Sequence, residues 1–398
     1  MALRPDSASP LRIALIAGSL GVGGAEKQLC FMARALVGAG VDLRVYTLTR
    51  GEPYEAVLRN AGINVAWIGR YDSPALRVAA AARQCLGFRP HVVQATHFFA
   101  NLYAALASRT CGALSVGAIR NDVADEFEAN GRWSPWLLRS VDGLIVNSEA
   151  ALKATSALGI APDRVARVSN VIELEHEPLP EETLRSRDGV IIACVARLAA
   201  PKRIDRFLRA LAAVRRTCPE VRGLVVGDGP ERENLLKLAA GLGLFPGAVE
   251  FAGCRLDVPA LLRAADVLVL TSDHEGLPNV LLEGMAAGLP VVTTAAGDAG
   301  RVVDNGVTGY VVPMDAEDVL ATRIAELAES PGLRRQLGVA GRAKVTRDYD
   351  AAELAPRLLA AYAGFARYAG RRDVSCLVDA AARSRPLPQV GQHTATRC

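Results

Sequence analysis

The sequence predicts an α/β protein made of two doubly wound parallel-sheet domains facing across a cleft, and three observations carry that prediction. Short apolar runs alternate with Ala-rich helical stretches through the first half, a polar segment with two prolines interrupts the pattern after Glu173, and the alternation then begins again. At 398 residues, with 51% hydrophobic and 22% charged content, the chain is long enough to bury two cores.

The elements follow in order. LRIALIAG (11–18), LRVYTLT (43–49), HVVQATH (91–97) and GLIVNSE (143–149) read as buried strands of a first domain over residues 11–172. LEHEPLPEETLRSRD has no strand pattern and gives a linker at 173–188. GVIIACVAR (189–197), GLVVGDGP (223–230), VEFAGC (249–254), DVLVLTS (266–272) and PVVTT (290–294) are strands of a second domain over 189–352. AAELAPRLLAAYAGFARYAG predicts a closing helix at 353–370 that can cross back to the first domain. From 371 to 398 the composition turns polar and loses its period, which predicts a disordered tail.

Composition excludes several function classes. A net charge of +4 is too small to argue for nucleic acid and suits, weakly, an anionic ligand or a membrane surface. No apolar run reaches the roughly 18 residues that span a bilayer, and MALRPDSASP lacks the apolar core of a secretory signal. The expectation is a cytoplasmic protein, with the inner face of the plasma membrane as a candidate location. Eight scattered cysteines without a CxxC pair indicate neither a zinc site nor a disulfide framework. No HExxH is present, and Asp348 and Asp350 read as charge at a helix boundary, so no metal is expected.

The densest chemistry lies in EGLPNVLLEG (275–284). The preceding run ADVLVLTS is a strand, Pro278 suits the first turn of a helix, and Gly288 and Pro290 stop that helix after Met285. A helix N-terminus at the carboxyl end of a parallel strand favours a phosphate. Glu275 falls on the loop and Glu283 on the helix, about 7.5 Å further along its axis from Pro278. That separation lets one carboxylate bind sugar hydroxyls while the other holds a ribose.

Other strand ends add to this constellation. Arg197 and Lys202 in ARLAAPKR are two cations able to hold a diphosphate, the alternative being a solvated helix start. Gly229, in GDGPER, sits in a tight turn that a nucleotide base could lie against, although a plain strand-to-helix loop explains it equally. In AGSLGVGGAEKQL (17–29) the glycines depart from GxGxxG because position 26 is Glu, yet Gly23 and Gly24 can bring amides close to a phosphate or sugar. His97 ends a strand where ligands commonly bind. RWSPWLLRS (132–140) places Trp133 and Trp136 among arginines, either as helix packing or as a basic aromatic patch for a membrane surface.

Taken together, GGAEKQ (23–28), ARLAAPKR (196–203), VVGDGPER (225–232) and HEGLPNVLLEGMAAGLPVV (274–292) resemble glycosyltransferase family 4 over roughly residues 11–350. The resemblance implies the GT-B fold of two Rossmann-like domains, retention at the anomeric carbon, no metal and no cofactor besides a nucleoside-diphosphate sugar as donor, with a UDP-sugar favoured over a GDP-sugar. It assigns Glu275 to the donor sugar and Glu283 to the ribose. It gives the diphosphate to Arg197 and Lys202, with backbone from Gly276, Leu277, Pro278, Asn279 and Val280, and it puts Gly229 at the nucleotide. Gly23 and Gly24 would lie beside the donor phosphates and acceptor, and His97 near the transferred sugar. The partner it implies is a glycan or lipid-linked saccharide acceptor. Three positions depart from the family pattern: Val171 and Ala196 where glycine is common, and Arg301 where many members carry Glu. An epimerase on the same fold, which would need an acid/base pair at the sugar ring, and a non-catalytic subunit of a glycosylation complex are the other readings.

Overall fold

The structure, a computed structural model, describes residues 10–174 and 189–383. Most of the expected linker and the last part of the expected tail lie outside the described residues. The chain forms two compact units. Of the described residues, one unit takes 10–147, Ala151–Val168 and 352–383, and the other takes Ser148–Ala150 with 169–174 and 189–351.

The first unit holds a parallel sheet of seven strands: β1 (Arg12–Ala17), β2 (Asp42–Thr47), β3 (Asn64–Trp67), β4 (Val92–Ala95), β5 (Leu114–Ile119), β6 (Gly143–Val146) and β7 (Val165–Arg167). They lie in the order β3-β2-β1-β4-β5-β6-β7. The order reverses between β1 and β4, and β4, β5 and β6 are buried along their whole length. That matches the near-continuous apolar runs of strands covered on both faces.

The second unit repeats the design with β8 (Ile191–Val195), β9 (Arg222–Val226), β10 (Val249–Gly253), β11 (Val267–Leu270), β12 (Val291–Thr294) and β13 (Gly309–Val312). The order is β10-β9-β8-β11-β12-β13, again all parallel. Here the order reverses between β8 and β11. Ligands of open α/β sheets bind at the carboxyl ends of such a pair. ARLAAPKR follows β8 and TSDHEGLPN follows β11. Topology alone therefore sets both motifs at one switch point.

The closing helix, Leu354–Tyr368, belongs to the first unit, as the sequence allowed. Gly143 admits it: a Cβ there would stand 2.3 Å from the Phe365 ring. Its fully buried Tyr362 hydroxyl donates to the Oε1 of Gln94 on β4. We expect Tyr362→Phe to cost about 1–3 kcal/mol, because the buried Gln94 carbonyl then loses its donor. Urea unfolding followed in the first unit measures that loss.

One expectation needs correction. The tail foreseen as disordered from 371 starts with a helix, Arg372–Arg383, which buries Val374 and Val378. Those residues are spaced i, i+4, so an apolar stripe exists within a polar stretch short enough to hide it. In RWSPWLLRS the packing role falls to buried Leu137 and Leu138, leaving Trp133 at 62% and Trp136 at 48% exposure, with Arg132 over the Trp133 ring. Among the described residues no helix is long and apolar enough to cross a membrane.

Candidate functional site

In the second unit the sheet ends in a set of mutually braced loops. Thr271, just past β11, donates its hydroxyl to the carbonyls of Lys202 (3.1 Å) and Arg203 (2.8 Å), and the Asp273 amide donates to Pro201 (2.9 Å). These bonds pin ARLAAPKR against the start of the glutamate loop. Lys202 consequently reaches Glu275: its Nζ lies 2.6 Å from Oε1, the same oxygen that accepts from the Ser272 hydroxyl at 2.7 Å. The two side chains predicted to share a ligand thus meet at one point, with exposures of 27% and 12% that leave them reachable from solvent.

The glutamate loop is itself held from behind. Gly276 O accepts from the Asp298 amide at 2.9 Å, and Leu277 O accepts from Asn170 Nδ2 at 2.8 Å. Gly297 is required for this: its φ is +53°, and a Cβ would stand 2.1 Å from the Glu275 carbonyl. Pro278 is the N-cap of the helix Asn279–Ala286, one residue earlier than the first-turn position expected of it. An extended ψ of 115° keeps it outside the helix, where proline's missing N–H is equally harmless. Gly276, Leu277 and Pro278 are buried, while Asn279 and Val280 are half-buried at the first helical positions. Glu283 lies half-buried about 6 Å along the helix from Asn279.

Gly229 has a structural task. Gly227 and Gly229 let their loop lie directly on the ARLAAPKR backbone: a Cβ would come 1.9 Å from Ala196 O at the first and 2.4 Å from Leu198 O at the second. The Leu198 amide donates to Asp228 O at 3.0 Å and the Glu231 amide to Leu198 O at 2.9 Å. Close loop packing, one of the two explanations the sequence leaves open, accounts for both glycines. Arg197 projects from this platform, exposed, and among the described residues its side chain has no partner.

A charge network behind Lys202 was not legible in the sequence. Arg203 adopts a left-handed φ of +47°, a conformation that strains a non-glycine residue, and its guanidinium forks onto Asp205 (3.0 and 3.1 Å) and reaches Asp273 (3.1 Å). Arg206, 4% exposed, donates to Asp273 as well. Burial pushes the Asp273 carboxyl up, but the hydrogen bonds from Arg206 and Arg203 outweigh it and hold it below its ordinary value. A carboxylate so depressed contributes stability that is present above its unfolded pKa, about 3.9, and lost as pH falls through the folded one. Asp273→Asn should therefore flatten the acid limb of the second unit's stability curve below about pH 4 and lower stability at neutral pH. Melting temperatures across that range check it; an unchanged acid limb would show that the network carries no pH-dependent stability.

In the first unit, Gly23 caps the helix Gly24–Gly38 in extended backbone. A Cβ at Gly23 would stand 2.3 Å from Glu26 Oε2, the far end of a flexible side chain. Glu26 therefore folds back over its own helix start, three residues after the cap, where a carboxylate offsets unpaired amides. A carboxylate thus lies next to Gly23 and Gly24, whose amides are expected to approach a phosphate or a sugar. Glu26 Oε1 in turn lies 3.3 Å from Nε2 of His97. The spacing from Gly23 to Glu26, which breaks GxGxxG, is itself a helix-start signal in the sequence.

With this geometry in view, similarity to known proteins becomes informative. The model of the family described as Glycosyltransferase Family 4 matches residues 22–176, and that described as Glycosyl transferases group 1 matches residues 189–330. The chain belongs to glycosyltransferase family 4. A GDP-mannose-dependent α-(1-6)-phosphatidylinositol monomannoside mannosyltransferase of Mycolicibacterium smegmatis is 34% identical over 178 residues, covering 42% of this chain and 47% of that protein. The lipopolysaccharide core biosynthesis glycosyltransferase LpsE of Rhizobium meliloti is 30% identical over 209 residues, covering 51% and 58%. The chain thus spans about half the length of the curated relatives it matches. The Anabaena Alr3699/HepE structure in complex with UDP-glucose matches with a TM-score of 0.76 at 22% identity, over 93% of this chain and 100% of that one. Together with the two parallel sheets, this likeness gives the family 4 chain the GT-B fold.

Proposed function

We propose that this family 4 chain is a retaining, metal-independent hexosyltransferase. It would move a sugar from a nucleoside-diphosphate donor to a glycan or lipid-linked saccharide in cell-envelope polysaccharide biosynthesis. The observation that carries the reading is the Lys202–Glu275 contact at 2.6 Å, at the sheet's switch point and beside a helix N-terminus. Breaking the sugar–phosphate bond leaves the electron pair on the diphosphate. A preplaced ammonium and helix amides stabilise that charge more in the transition state than in the ground state. Glu275 and Glu283 would bind the donor sugar and ribose, and Arg197 would reach the diphosphate, while a leaving phosphate oxygen takes the acceptor's proton. His97 would lie near the transferred sugar. No nucleic acid enters this scheme, and the proposed location is the cytoplasm, at the inner face of the plasma membrane.

A UDP-sugar is the proposed donor. A GDP-sugar is the second reading, favoured by the name of the 34% identical mannosyltransferase. Thermal unfolding with UDP-glucose, UDP-galactose, UDP-N-acetylglucosamine and GDP-mannose separates them, since a ligand at a hundred times its dissociation constant adds about 2.7 kcal/mol. Stabilisation by a UDP-sugar alone is the expected result. Stabilisation by GDP-mannose alone would reverse the choice of base, and a flat response to all four would remove the donor reading.

A further inference from the structure

Two cysteines of the first unit, far apart in the sequence, meet in the fold. Cys85 lies in the last turn of the helix Pro74–Phe88 and Cys111 closes the helix Asn101–Cys111, and these two helices pack against each other. Cys85 is fully buried in the first unit's core, and Cys111, half-buried, packs against the same cluster. Their side chains are hydrogen-bonded. The Cys85 thiol donates to the Cys111 sulfur, and the Cys111 thiol turns its own hydrogen towards the carbonyls of Ser108 (3.5 Å) and Ala107 (3.6 Å). Both sulfurs are free. A buried cysteine is usually a small apolar filler, a role that does not require a second sulfur beside it. Cys218 in the second unit is the contrasting case, a thiol pushed up by burial and by the Glu329 carboxylate 3.4 Å away.

We infer that Cys85 and Cys111 form a peroxide-reactive dithiol, with Cys111 the attacking thiol and Cys85 the resolving one, and that oxidation closes a reversible disulfide between the two helices. Access favours Cys111, the one of the two that solvent reaches. Its surroundings favour it as well. The bond from Cys85 draws the Cys111 thiol below its ordinary value; burial and the negative end of its helix act against this, and the Ala113 amide and the Arg371 guanidinium act with it. Arg371 is held there by donating to the Gly112 carbonyl. Cys85 is pushed up by the same bond and by burial, so it keeps its proton. The thiolate is the nucleophile. It attacks one oxygen of hydrogen peroxide, the O–O bond breaks, and the departing hydroxide takes up the proton that Cys111 released, leaving water and a sulfenic acid on Cys111. The Cys85 sulfur then attacks the Cys111 sulfur, the S–O bond breaks, and hydroxide leaves with the Cys85 proton as a second water. Two thiols and one peroxide thus give one disulfide and two waters. Sulfurs already in contact need little backbone movement to join, and a thiol reductant reverses the bond by exchange. The pair stands where the helix Asn101–Cys111 runs into the amino end of β5, away from the carboxyl ends of the strands, so the inference is independent of the glycosyltransferase reading.

The test treats the reduced full-length chain with an equimolar amount of hydrogen peroxide, unfolds it in urea with an alkylating reagent, and maps the peptides by mass spectrometry. Free thiols should fall by two from the eight of the sequence, with the Cys85 and Cys111 peptides joined before the exposed Cys254 and Cys376 are oxidised. Dithiothreitol should restore both thiols. In Cys85→Ser the sulfenic acid on Cys111 has no thiol to meet, so dimedone should label Cys111, whereas in Cys111→Ser Cys85 should stay unlabelled. Oxidation of Cys254 or Cys376 while Cys85 and Cys111 remain free thiols would overturn the proposal. So would a disulfide that pairs either of them with another cysteine, or dimedone on Cys85 in Cys111→Ser. Should a serine variant not fold, the wild-type map decides alone: a joined Cys85–Cys111 peptide sustains the dithiol, and two separately alkylated peptides end it.

Discussion

Lys202→Ala is expected to slow sugar transfer by about 10²–10³-fold, the usual loss when one preplaced donor to a developing oxyanion is removed. Stability should hardly change. The ion pair with Glu275 is partly exposed, and such pairs contribute about 0–1 kcal/mol. Thr271 and Asp273 also hold the loop through its backbone, so its path does not depend on the lysine side chain. On the proposed reading an arriving diphosphate would compete with Glu275 for the ammonium, and Glu275, released from Nζ, would become available to a sugar hydroxyl. Steady-state kinetics on a stabilising donor, with circular dichroism as the folding control, measures the effect. Near-normal turnover in Lys202→Ala would remove the assignment of this site. Lys202→Arg should not restore full activity, because a planar fork cannot reproduce a point charge at 2.6 Å from one carboxylate oxygen.

What could be read in the sequence depended on how each contact is encoded. Strands β1, β8 and β11 announce themselves as unbroken apolar runs, and the motifs after β8 and β11 inherit their place from topology. Strands β3, β5, β7 and β13 carry no such run. NVAW, VAR and GYVV are too short to establish a period, and LSVGAI is interrupted by Ser115 and Gly117, both of which pack inside the unit. Gly117 is small for a reason only the fold supplies, as a Cβ would press on Leu144 of β6. The same holds at the site. Glu275 and Lys202 could be paired because each follows a recognisable strand, whereas Asp273, Arg206 and Asn170 act through contacts 67 to 107 residues away in the chain. No local pattern marks those. Glu26 is different: its distance from Gly23 is a helix-start signature, so that part of the site was present in the sequence and was given another meaning.

The glycines of the VVGDGPER turn lead to the other large effect. At Gly227 the φ of +135° is closed to L side chains, and a Cβ would stand 1.9 Å from the Ala196 carbonyl, a rigid backbone atom. Strain and overpacking act together at Gly227→Ala, and we expect a loss of about 3 kcal/mol or more in the second unit. The loop cannot relax cheaply. It is tied by the Gly227 amide to Gly253 O at 2.8 Å, and by the Leu198 amide, which donates to Asp228 O at 3.0 Å. Displacement would pass to Arg197, the residue between the two clash points, so transfer should fall even where enough folded protein survives for assay. Gly241→Ala provides the control: it sits in the helix Arg232–Gly241 with nothing within 4 Å of its Cβ, and alanine there should be neutral or slightly stabilising. Urea midpoints of the two variants decide the matter. A Gly227→Ala protein as stable as Gly241→Ala would mean that the turn does not rest on the ARLAAPKR backbone, and with it would go the physical reason for Arg197 standing where a diphosphate could meet it.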